Sequence, residues 1–188
     1  MRKTGVCISN VLAAFLLSLV ATVAPASTLW NWTYTAPTIT ASGTFTTDDA
    51  PDATGGFLII GITGTRNGSP IISLQPTGTA IPGNEPFDVD NLVFFQQGPQ
   101  LTKAGFGFAT ADGNFANPFF ADFLPVPSYL EFFSTPPFND GGQGPGDSEL
   151  PIQFSASPVP EPSFSAAIAC ALALGVSWSK FRKATQRR

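Results

Sequence analysis

The rhythm of apolar positions divides the chain into three parts. Val6 to Val23 and Phe164 to Trp178 are apolar runs too long for ordinary strands. Between them, short apolar stretches alternate with polar residues and break at Gly, Pro and Asn, which is the signature of β-structure. Leu29 to Thr35 alternates strictly and puts Trp30, Trp32 and Tyr34 on one face. Thr38 to Thr47 reads as a Thr-rich strand around Gly43, and Phe57 to Thr63, continuously apolar, as a central strand. Asn67-Gly68 predicts a type I′ hairpin turn, after which Ile71, Ile72 and Leu74 return. Further strands are expected at Leu92 to Phe95, Ala104 to Ala109, Phe115 to Phe120, Tyr129 to Phe133 and Ile152 to Ala156, with a turn at Asp112-Gly113.

These elements predict an all-β fold: an antiparallel β-sandwich or barrel-like domain over residues 27–156. A Gly-rich acidic loop is expected over 139–149 and a linker over 157–163. An N-terminal signal helix and a C-terminal transmembrane helix are expected to flank the domain.

The N-terminal run follows Met1-Arg2-Lys3 and ends at Ala24-Pro25-Ala26. This order of charge, apolar stretch and small residues predicts a signal peptide over 1–26, cleaved between Ala26 and Ser27. At the other end, Pro160 and Pro162 hold Val159-Pro160-Glu161-Pro162-Ser163 extended. The Ala- and Leu-rich run that follows favours helix. Its fifteen residues, Phe164 to Trp178, reach about 22 Å, short of the roughly 30 Å of a bilayer core. A membrane helix over 164–181 therefore needs Lys180 to snorkel. Lys180, Arg182, Lys183, Arg187 and Arg188 make a basic tail over 180–188 that favours the cytoplasmic side.

The motif Val159-Pro160-Glu161-Pro162-Ser163, a brief apolar helix and a terminal basic cluster together resemble the PEP-CTERM sorting signal. The resemblance covers residues 157–188. It implies recognition in the bacterial inner membrane by exosortase, a membrane-embedded cysteine transpeptidase. It also implies cleavage near the motif and export to the cell surface or an exopolysaccharide matrix.

Composition narrows what the domain between the ends can do. The chain has no His, and its two cysteines, Cys7 and Cys170, lie in the terminal apolar runs. Ser-His-Asp, Cys-His and His/Cys zinc sites therefore cannot be assembled in the domain. Residues 27–158 hold two basic residues, Arg66 and Lys103, against twelve acidic ones, a net charge of −10. That balance argues against nucleic acid as a partner.

Three chemistries remain open. Asp88, Asp90 and Asn91 cluster oxygen ligands that calcium would accept, and Asp48, Asp49 and Asp52 form a second acidic group; turn-forming Asp is the plainer account. Trp30, Trp32 and Tyr34 could stack against sugar rings or fill a core. Glu85, Asp122 and Glu131 could supply the paired carboxylates of a glycan hydrolase, or lie solvated on the surface. The expectation is a non-enzymatic surface or matrix protein with a structural or adhesive role, associated with exopolysaccharide. The alternatives are a carbohydrate-binding module and a carboxylate-based hydrolase.

Overall fold

The computed structural model describes residues 27–95, 98–138 and 144–160. The expected signal peptide, the expected membrane helix and basic tail, Glu161 to Ser163 and part of the expected 139–149 loop lie outside these residues. Among the described residues there is no helix, and so none long and apolar enough to cross a membrane.

The strands are β1 (Thr28–Ala36), β2 (Ile39–Thr47), β3 (Phe57–Arg66), β4 (Ser69–Leu74), β5 (Leu92–Val93), β6 (Phe108–Thr110), β7 (Phe115–Ala121), β8 (Ser128–Ser134) and β9 (Ser148–Pro158). All pairings are antiparallel. Eight strands close into a barrel in the cyclic order β1-β2-β3-β4-β6-β7-β8-β9, and β9 returns to β1. Short β5 sits outside this ring, paired to the start of β3. Closure gives each of the eight ring strands a neighbour on both sides, with β3 and β4 paired only beside their turn, at Thr65 and Arg66.

Local chemistry explains the corners. Asn67 and Gly68 both have positive φ, 47° and 84°, as a type I′ turn requires. The Asn67 side chain also accepts from the Thr40 N–H at 2.8 Å and donates to the Thr38 carbonyl at 3.1 Å. One turn residue thus ties the β3–β4 hairpin to the β1–β2 turn. Gly43 and Gly64 lie opposite each other on β2 and β3. A Cβ on Gly43 would fall 1.8 Å from the Thr63 carbonyl oxygen, so only glycine permits this approach.

An eight-stranded barrel encloses just enough room for its inward side chains. Here that room is filled by rings. Trp32 stacks on Phe45 at 5.3 Å, and Phe45 meets Phe106 edge-on at 4.9 Å. Trp30, Tyr34, Ile59, Phe108 and Phe154 complete the interior. Burying aromatic rings of this size is the main apolar contribution to the fold.

A second, smaller core lies on the outer face of β7 and β8. Strand alternation sends Tyr129, Glu131 and Phe133 to one side of β8, and Leu130, Phe132 and Ser134 to the other. Leu130 and Phe132 pack with Phe119, Ala121 and Ile81, the last contributed by the long connection 75–91. That connection is held against the wall by Ser134, whose hydroxyl donates to the Pro82 carbonyl at 2.5 Å.

One expectation holds and one changes. The apolar run Phe57 to Thr63 is a central strand, β3, with β2 on one side and β4 and β5 on the other. It forms part of a barrel wall, and Ile60 stands exposed on the outside. The chain does not become a linker at Ser157: β9 continues through Pro158, opposite Trp30.

Candidate functional site

The interior of the barrel carries one charged cluster. Glu131 enters from β8, Arg66 from the end of β3 and Tyr34 from β1. Arg66 grips the Glu131 carboxylate with two parallel bonds, Nη2 to Oε1 at 2.6 Å and Nε to Oε2 at 2.9 Å. The Tyr34 hydroxyl donates to the same Oε2. The Phe133 ring lies 3.6 Å from the guanidinium carbon, a cation–π contact. All three polar side chains are buried. Burial, reinforced by the Glu131 charge, pushes the Tyr34 phenol well above its ordinary value. Burial alone would lower the Arg66 value, but the Glu131 hydrogen bonds and charge outweigh it and hold it above its ordinary range. Both carboxylate oxygens of Glu131 accept hydrogen bonds from side chains of the barrel. This is the arrangement of a structural ion pair.

Glu131 therefore cannot join Glu85 and Asp122 as expected for a hydrolase. The pleat of β8 turns it into the barrel, while Asp122 stands exposed beyond the end of β7 and Glu85 lies exposed in the connection 75–91.

The aromatic platform is also corrected. Trp30, Trp32 and Tyr34 do share one face, but that face is the inside of the barrel, where they are at most 2% exposed. No ring face is left for a sugar. The Trp30 indole N–H donates to Thr47 at 3.1 Å.

Two members of the Asp88-Asp90-Asn91 group are engaged in hydrogen bonds within the protein. Asp90 accepts from the Leu92 N–H at 3.1 Å and from the Thr102 hydroxyl at 2.6 Å. Burial raises its carboxyl above the ordinary value, against the opposing effect of Thr102. Asn91, wholly buried with φ of 53°, bonds the Gln75 carbonyl at 2.8 Å and Thr77 at 2.9 Å. Only Asp88 of the three is exposed. Asp52 binds its own turn through Thr54 and Gly56, and the Thr54 hydroxyl is the main reason its carboxyl lies below the ordinary range. Among the described residues no three acidic, His or Cys side chains gather as metal ligands.

The described surface does contain a groove of about 810 Å³ on the outer wall. Its floor is Phe119 from β7 and Phe132 from β8, with Asn117 beside them. The 83–88 segment lines it as well, together with Phe123, just after β7. Asn84 donates to the Asn117 side chain at 3.2 Å, and the Asn117 amide in turn donates to the Ala104 and Phe106 carbonyls at 3.0 Å. The Gly83 N–H donates to the Glu85 carboxylate at 2.9 Å. These bonds fix the segment to the barrel. Sequence reading missed the groove because residues 75–91 carry no periodicity; the isolated apolar pair Ile81 and Val89, both buried, was the available signal.

No family model matches the chain, and neither a curated protein nor a solved structure matches it significantly.

Proposed function

We propose that the chain is an exported surface or exopolysaccharide-matrix protein, delivered by its N-terminal signal and processed by exosortase at Val159 to Ser163. Its barrel serves a structural or adhesive role without catalysis. One observation carries most weight. The Val159 N–H donates to the Leu29 carbonyl at 2.7 Å, so the two ends of the barrel emerge side by side at one pole. Two membrane-directed flanks can then lie in one bilayer without distorting the domain between them. β9 ends at Pro158, and Val159 and Pro160, the first residues of the expected motif, follow it directly in sequence. The filled interior and the Arg66–Glu131 pair buried within it also suit a scaffold.

The test is fractionation of cells that produce both this protein and an exosortase. Wild-type protein is expected at the surface or in the matrix. A variant with Pro160, Glu161 and Pro162 changed to Ala is expected to accumulate in the inner membrane. Equal surface delivery of both would refute the proposal.

A further inference from the structure

The outer-wall groove combines features that a scaffold does not need. Phe87 and Phe123 both line it, yet they are 67% and 66% exposed. Exposed phenyl rings bordering a preformed groove mark a contact surface. Three carboxylates line the groove with them, Glu85, Asp88 and Glu149, against a single ammonium, Lys103. The only other cation of residues 27–158, Arg66, is neutralised inside the barrel.

We propose that this groove binds a polysaccharide chain that bears free amino groups. A pyranose ring has an apolar C–H face, which Phe87 and Phe123 can cover. Its hydroxyl and ammonium groups are donors, which Glu85, Asp88 and Glu149 can accept. The excess negative charge attracts such a chain and repels one built of uronic acids. A basic peptide shares the charge but fits less well. Extended peptides commonly add a strand to an open sheet edge, and each ring strand here already has a neighbour on both sides. None of the lining residues belongs to the sorting signal, so this proposal does not depend on how the protein is delivered.

The test is calorimetric titration of the full-length protein in detergent with four probes: a β-linked glucosamine hexamer, the same hexamer fully N-acetylated, a uronic acid hexamer and hexalysine. Saturable binding is expected for the glucosamine hexamer, weakened by added salt. Phe87→Ala with Phe123→Ala is expected to weaken it at least about tenfold. Glu85→Gln with Glu149→Gln is expected to weaken it about three- to tenfold and to flatten the salt dependence. All four residues are exposed, and Glu85→Gln keeps a carbonyl oxygen that can accept from the Gly83 N–H, so the melting temperature of each variant is the folding control. The proposal is overturned if the glucosamine hexamer does not bind. Equal binding of the acetylated, uronic acid or lysine probe overturns it as well. The probe comparison needs no variant and decides the matter even if a variant misfolds.

Discussion

Arg66 and Glu131 stand 65 residues apart in sequence and close a bidentate ion pair inside the barrel, with 2.6 Å between Nη2 and Oε1. The pair joins β3 to β8 across the interior, so it links the first half of the barrel to the second. Glu131→Gln would leave the buried guanidinium without its counter-charge and is expected to cost about 3–5 kcal/mol. Replacing both partners, as in Arg66→Met with Glu131→Met, removes the unpaired charge and should cost less than the single change. Chemical denaturation measures both. A single-variant loss below about 1 kcal/mol would mean that water reaches the pair.

Alkaline titration gives an independent test of the interior. The chain has two tyrosines, Tyr34 and Tyr129, and burial is the leading cause that raises both phenols above 10.0. The unfolded phenols lose their protons near the ordinary value while the folded ones keep them. The stability they contribute is therefore fully present below about pH 10 and is lost as pH rises through the folded values. Tyrosinate absorbance should lag behind a pH 10 titration and appear together with the loss of β-type circular dichroism. A full tyrosinate signal from folded protein at pH 10 would contradict the placement of Tyr34.

Much of the barrel was legible because its strands obey a period of two. Trp30, Trp32 and Tyr34 declare one face of β1, and Asn67-Gly68 declares a hairpin. What alternation cannot say is which side of a face is the inside of a closed sheet. The same three aromatics could also be read as a sugar platform, beside the plainer reading as core, until β9 is seen to pair with β1 and shut the barrel. Long-range partners were hidden for a similar reason. Nothing near Glu131 in sequence announces Arg66. The groove was illegible because its wall comes from a connection without periodicity, and its floor from the outward half of β7 and β8.

Gly43 and Gly64 offer a steric prediction. Their Cβ positions would meet backbone at 1.8 Å and 2.2 Å, and Gly64 also has φ of 140°. Gly43→Ala must push β2 from β3 in a wall that has no slack, with an expected loss above about 3 kcal/mol. Gly113 is the control. Its φ is 79° but nothing lies within 4 Å of its Cβ position, so Gly113→Ala should cost only the left-handed strain, about 1–2 kcal/mol. Melting curves of the two variants separate the effects; equal losses would mean that the approach at Gly43 is not tight.

The last prediction concerns where the chain is cut. β9 pairs with β1 from Gln153 through Pro158, and Val159 adds one more bond to Leu29. A cut before Ala156 would remove pairing that closes the barrel, leaving the β1 edge open. The mature C-terminus is therefore expected at or beyond Val159. Fully extended, Val159 to Phe164 would span at most about 17 Å, so the proposed membrane insertion of the tail would bring the pole of the barrel close to the bilayer before processing. Cleavage there sheds the apolar run and the basic tail but leaves all nine strands. The processed and unprocessed forms should then melt within about 3 °C of each other. Intact-mass measurement of surface-extracted protein should give a species that begins near Ser27 and lacks most of 164–188. If the only surface form still carries Arg188, the tail is a permanent anchor and the sorting proposal fails.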